Sequence, residues 1–468
     1  MSLITWTVAL LLGTLVNQAF TRDVDFCFAD EDDPYLYMGT KTAYHFVHAG
    51  KTRFQDVPNC RPVQVWMLAT HGTQCASNSE ISNMLTLSEL RNQIVHNHES
   101  RGDGHMCNRD LESLKRWRPD AAYLTMQRAE VLTPQGLEDM RLLARRLQSN
   151  FPDLLQTDDL VPSDYKFKAT DAEDSMKGFM EGLFGTSTAV NPEESSKNDT
   201  VLATHKSCAS DEDDDKIEEL EKFDMGPEFQ NLVLNVSRRL GYLYNISEDS
   251  IHAMYDMCRY EKAWTVTKLS AWCAVFSKEE MQVLEYREDL EYYYKAGYGR
   301  EMNGHLGCPL LRDMMNHFWK VEQDMDTMEP KGIFYFSDII SLQNLLTALG
   351  IHQDAMPLTA SSYKEMAKRK WRTSFISSFV ANLVAVFYKC DNARQPNKVM
   401  FYLAEKLVMF EGCDVGLCDW DYLMRRFGRV ETGCNADLCL SGSGSGSSHL
   451  SNFFLLSLVA SVLVVLRQ

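Results

Sequence analysis

From Val63 to Ala69 every position but Gln64 is apolar, and the run stops abruptly at Thr70-His71-Gly72-Thr73. A short apolar run bounded by polar turn residues predicts a buried strand of an α/β sheet. Two further stretches behave alike. Asp164 to Ala169 alternates polar and apolar, then breaks into Thr170-Asp171-Ala172-Glu173-Asp174-Ser175, and Ile333 to Phe336 ends in Ser337-Asp338-Ile339-Ile340. Each is followed by helix-like sequence. The pattern predicts an α/β fold, a doubly wound sheet with helices on both faces and one crevice beyond the carboxyl ends of the strands. His71 at such a strand end is a candidate nucleophile or base; a histidine that only hydrogen-bonds locally fits this stretch equally well.

Helical spacing organises the rest. Thr133-Pro134 opens a helix, with Thr as N-cap and Pro at the first helical position, and Leu137, Met140, Ala144 and Leu147 repeat along it. Ser79 to Arg101 reads as helix, and from 185 to 325 strand signals vanish. That region is expected to be an α-helical cap domain inserted between two parts of the α/β domain, 24–184 and 326–440. The acidic run Asp211 to Asp215 suits the start of a helix through the macrodipole. Ile339 to Leu349 and Phe375 to Tyr388 have apolar residues at helical spacing and are expected to cover the sheet.

The two ends change the picture. Residues 1–20 hold an apolar core, Val8 to Val16, too short to span a bilayer, and predict a secretory signal peptide. Residues 441–468 combine a Ser/Gly spacer with the apolar tail Phe453 to Leu466, the pattern of a GPI-attachment signal with its site near Ser441 to Ser445. The expected location is the extracellular face of the cell membrane. Asn198, Asn235 and Asn245 lie in N-x-Ser/Thr sequons, as suits a glycosylated secreted chain. Thirteen cysteines point to disulfides rather than metal, and no Cys-x-x-Cys pair supports zinc. Cys413 and Cys418 are close enough to pair, as are Cys434 and Cys439. The odd count singles out Cys75, just after the histidine loop, as the expected free thiol.

Acidic residues number 65 against 47 basic ones, a formal charge of −18. Nucleic acid is thereby an unsuitable partner, because its backbone is bound through clustered Lys and Arg. A phosphorylated polyanion would need a local basic pocket against this field.

Several stretches together resemble the histidine acid phosphatases, and within them the multiple inositol polyphosphate phosphatases (phytase-like). They are Gly39-Thr40-Lys41-Thr42, the strand with His71-Gly72-Thr73, Leu132-Thr133-Pro134-Gln135-Gly136, Ser175 to Leu183, Tyr286-Arg287-Glu288-Asp289-Leu290 to Tyr298-Gly299, and Pro357-Leu358-Thr359 to Cys390. The resemblance spans roughly 36 to 440. It implies a phosphomonoesterase whose first loop reads Arg-His-Gly-x-Arg, the histidine attacking phosphorus and the arginines binding phosphate.

The resemblance stops at the chemistry. Thr70 and Gln74 occupy the two arginine positions, and Asp171 stands where a third arginine is expected. The late His-Ala-Glu motif, which supplies a phosphate-binding histidine and the proton donor, falls on Asp338-Ile339-Ile340, leaving Ile340 at the acid position. Fixed cations hold the phosphoryl oxygens, and losing one such donor costs about 10²–10³ in rate. The expected function is therefore a GPI-anchored pseudophosphatase with a binding or other non-catalytic role. An alternative keeps weak phosphomonoesterase activity on inositol polyphosphates or other phosphate esters. There His71 forms the phosphohistidine and Asp338 is the acid, as in relatives that use His-Asp. No cofactor or metal is expected; a small phosphorylated ligand or an extracellular partner is left open.

Overall fold

The structure, a computed structural model, describes residues 26–428 apart from 29–33, 49–53, 55–56, 156–157, 208–216, 324–328 and 392. The signal segment, the Ser/Gly spacer and tail, the Asp211–Asp215 run and the Cys434/Cys439 pair lie outside the described residues.

Seven strands form one mixed sheet: β1 Cys60–Thr70, β2 Tyr165–Ala169, β3 Gly332–Ser337, β4 Asn382–Cys390, β5 Asn397–Leu403, β6 Lys406–Leu407 and β7 Leu417–Asp419. Their order is β2-β3-β1-β4-β5-β6, with β7 paired to β5. β2, β3 and β1 are parallel, in register from Val65 opposite Gly332 to Thr70 opposite Ser337. Their carboxyl ends therefore finish level, which creates the crevice anticipated at three strand ends. β4 and β5 extend the sheet antiparallel.

Both faces are covered, and the period-2 alternation of strand side chains says by what. Phe334 and Phe336 point to the face where Phe179 of the Glu173–Phe184 helix packs, with ring centroids at 5.0 and 5.5 Å. Trp66 and Tyr335 point to the other face, where Trp66 Nε1 and the Tyr335 hydroxyl both donate to Asp313 of the Glu301–Glu322 helix. This helix lies on the sheet beside Ile339–Leu349, although the sequence pattern groups it with the helical insert. Between β2 and β3 the described residues contain helices and loops only. Earlier helices join that helical layer: Trp117 donates to Glu261 at 2.8 Å and packs edge-on against Trp272.

One expected element is different. Phe375 to Tyr388 is not a covering helix; after a single turn, Thr373–Ile376, it becomes strand β4, buried at nearly every position. A strand buried on both faces has no polar alternation, so its apolar run fits helical spacing equally well. β4 is tied to β1 at its far end by the Cys60–Cys390 disulfide. Further disulfides join Cys27–Cys107, Cys258–Cys273 and Cys413–Cys418.

Candidate functional site

β1 hands the chain to the His71 loop, which is held from three sides. The His71 carbonyl accepts from Val380 N at 3.0 Å, Gly72 N donates to Ser175 Oγ at 2.9 Å, and the Thr73 carbonyl accepts from both Thr133 N and Thr133 Oγ1. Thr133 is the N-cap of the Pro134–Asn150 helix, its side chain accepting from Gly136 N. Loop and helix approach so closely that a Cβ on Gly136 would sit 2.3 Å from the Thr73 carbonyl oxygen. This contact explains why a Leu-Thr-Pro-Gln-Gly stretch accompanies the histidine loop. Two non-glycine residues beside it have positive φ, Asp171 at 57° and the fully buried Val380 at 59°. Such strain costs on the order of 1–3 kcal/mol and collects at functional sites.

His71 itself is poised. Its Nδ1 lies 3.1 Å from the Gly72 carbonyl, which can only accept, so the proton sits on Nδ1 and the Nε2 lone pair is free for attack. Burial lowers its pKa; the Gly72 bond and Asp338 oppose that shift and Lys41 adds to it. The ring is therefore neutral at pH 7 and packs against Phe379 at 5.9 Å.

The lining is acidic. A cavity of about 200 Å³ is bounded by His71, Gln74, Glu130, Leu132 and the stretch Asp171 to Ser175, with four carboxylates and no lysine or arginine. Gln74 is half-buried, and its carbonyl accepts from Trp264 Nε1. Asp171 forms an ion pair with Lys206, which also lies 3.5 Å from Asp338. Asp338 is the N-cap of the Ile339–Leu349 helix, accepting from Ser341 N at 2.9 Å, and pairs with His205 Nε2 at 3.1 Å. Burial alone would raise its pKa, but His205, the Ser341 N–H and Lys206 outweigh it and hold the carboxyl at about 2. Thr70 is buried with its Oγ1 unpaired, and Ile340 is half-buried in the first helical turn; neither is among the residues lining the cavity.

Thus His71, Gln74 and Asp171 share a cavity, and Asp338 is coupled to them through Lys206. His205 and Lys206 carried no motif in the sequence. They belong to the Thr204–Ser207 turn, which the Leu202 carbonyl fixes to the sheet by accepting from Ser337 Oγ and Ser341 Oγ. Glu130, Glu173 and Asp174 likewise carried no candidate role in the sequence. Cys75 is free and fully buried, and burial pushes its thiol pKa up against the opposing Arg128, the opposite of an activated nucleophile. Asn198, Asn235 and Asn245 are exposed. Among the described residues one trio of potential metal ligands is close, Cys27, Cys107 and Asp110, and both its sulfurs are in a disulfide.

The fold, the histidine at the end of β1 and the supporting Thr-Pro-Gln-Gly turn coincide with a sequence match to the Histidine phosphatase superfamily (branch 2) over residues 64–403. The chain belongs to this superfamily. Multiple inositol polyphosphate phosphatase 1 of Drosophila melanogaster is 34% identical over 473 residues, covering 98% of this chain and 99% of that protein. The Homo sapiens protein of the same name is 29% identical, covering 80% of this chain and 82% of that protein. Among solved structures, the phytase from D. castellii superposes with a TM-score of 0.70 at 16% identity, each chain covered to 87%. A Bifidobacterium longum multiple inositol polyphosphate phosphatase, in complex with inositol hexasulfate, gives 0.54 at 14% identity over 83% of this chain and 96% of that one. At such identities the superpositions establish the superfamily fold. The chemistry has to be argued from this chain's own residues.

Proposed function

We propose that this chain is a secreted, GPI-anchored pseudophosphatase: a histidine phosphatase superfamily member of the inositol polyphosphate phosphatase type that serves a binding or other non-catalytic role. The observation that carries this reading is the sign of the His71 cavity. Phosphoryl transfer to histidine needs fixed cations around the equatorial oxygens. Here the cavity presents Glu130, Asp171, Glu173 and Asp174, and Lys206 is engaged by Asp171 and Asp338. Leaving-group protonation also lacks a donor, because Ile340 has no proton to give and Asp338 is ionised at any physiological pH.

A second reading, a weak phosphomonoesterase acting through a phosphohistidine on His71, is favoured by one feature: the imidazole is neutral, with Nε2 unprotonated. Assay of the purified protein on inositol hexakisphosphate and on p-nitrophenyl phosphate separates the two. The pseudophosphatase releases no phosphate above its His71→Ala variant. Turnover abolished by that substitution would establish the second reading.

A further inference from the structure

Beside the Trp420–Phe427 helix, the last described element, a four-residue turn joins Asp414 to Leu417. It is closed by Asp414 N to Leu417 O at 3.2 Å and Leu417 N to Asp414 O at 2.9 Å, and clamped by the Cys413–Cys418 disulfide. Both central residues have positive φ, Val415 at 49° and Gly416 at 78°, so the turn is of type I′. That geometry favours Asn or Gly at its first central position. A β-branched residue there is a genuine outlier, and this one is also 62% exposed. Neither packing nor backbone preference accounts for a valine at this position. Met409, on the neighbouring connection that follows β6, is 67% exposed. Leu407, two residues before Met409, packs on Gly416, the neighbour of Val415. Exposed charges of both signs neighbour them in the chain, Glu411 and Asp414, then Asp421, Arg425 and Arg426 on the Trp420–Phe427 helix. Arg426 is fixed over the Phe410 ring and donates to the Tyr422 hydroxyl.

We infer that this turn is a membrane-contact surface in which Val415 and Met409 insert into the interface of a zwitterionic bilayer. The inference rests on the anchoring proposed above. Twelve residues lie between Gly428 and Ser441, a reach of at most about 45 Å, which keeps this end of the protein close to the lipid. Apolar side chains rimmed by charge dock into the headgroup boundary. A headgroup carrying both a phosphate and a quaternary amine matches a rim of arginines and carboxylates. A face that bears no anionic lipid also suits a chain of charge −18, since the anionic surface belongs to the cytoplasmic leaflet.

The test uses the full chain in phosphatidylcholine vesicles whose acyl chains carry a diazirine, with photolabelled residues located by mass spectrometry. Met409 and Val415 should be labelled at least about tenfold more than Leu243 and Tyr244, which are more exposed and lie on the helical layer. Val415→Asn should lower the labelling at both positions while leaving the melting temperature unchanged or higher, because Asn suits the turn. Equal or absent labelling at 409 and 415, or labelling indifferent to Val415→Asn, overturns the inference. Release from cells by phosphatidylinositol-specific phospholipase C reports on the anchor separately. A chain that resists release yet is labelled at the turn refutes the anchor and keeps the contact surface; a released chain unlabelled at the turn does the reverse.

Discussion

Two cavities of about 200 Å³ lie along one chain of ring contacts, from His71 to Phe379, then Tyr260, then the ammonium of Lys41 over the Tyr260 ring. They differ in charge: the first is acidic and the second is balanced. The His71 cavity has four carboxylates and no cation; the other holds Lys41, Arg259 and Arg287 among Glu80, Glu288 and Glu291. Those cations are already in use. Lys41 lies 3.8 Å from Glu80, Arg259 pairs with Glu288 and Asp256, and Arg287 grips Asp224 with two nitrogens. Arg259 links the Glu248–Trp264 and Lys278–Lys295 helices, and Glu288 extends the link to Thr40. The cations of this second cavity are therefore committed to ion pairs that link helices. The lesson is that counting basic residues near a histidine says little until their partners are known.

The strongest way to break this contrast is to give the His71 cavity its missing cations. The variant Thr70→Arg, Gln74→Arg, Asp171→Arg, Asp338→His and Ile340→Glu should raise inositol hexakisphosphate turnover by about 10³-fold or more over the natural chain. The three arginines alone should restore phosphate binding without turnover, because charge-assisted bonds need no acid. A folded five-fold variant that neither binds nor hydrolyses would mean the cavity is remodelled beyond these positions.

The contrast is sharpened by the scaffold around the His71 loop, which packs closely on the Pro134–Asn150 helix. Gly136→Ala drives a Cβ into the Thr73 backbone and should cost about 2 kcal/mol in urea unfolding. Gly304→Ala, in the first turn of the Glu301–Glu322 helix with its nearest neighbour at 3.9 Å, should be neutral or stabilise by up to about 1 kcal/mol. Equal effects at the two sites would show that the loop does not depend on this approach.

A comparable effect is expected on the acid side. Asp338 is depressed from 3.8 to about 2 in the folded chain. It therefore contributes stability that is present above pH 4 and lost as pH falls through 2. Asp338→Asn should remove about 2 kcal/mol at neutral pH and flatten the stability profile between pH 4 and 2. An unchanged acid limb would place Asp338 outside the Lys206–His205 network.

Much of this arrangement was legible from residues alone. β1, β2 and β3 announce themselves because each apolar run ends in a polar loop, and the Thr133 cap and the free Cys75 fall where the sequence puts them. β4 was not legible, since a fully buried strand looks like a buried helix. The Glu301–Glu322 helix was assigned to the insert because periodicity reports which residues are apolar and not which layer covers them. His205 and Lys206 were invisible for a different reason. Their role arises from tertiary placement of a turn more than 30 residues along the chain from Asp171 and more than 130 from Asp338, and no local spacing encodes it.

The central claim is that no uncommitted positive charge faces His71. Isothermal titration of the purified chain with inorganic phosphate reads this directly. We expect no saturable heat up to about 10 mM at pH 7, a limit near 3 kcal/mol of binding free energy, and the same result for the His71→Ala variant. Saturable binding in the submillimolar range, lost on His71→Ala, would contradict the account.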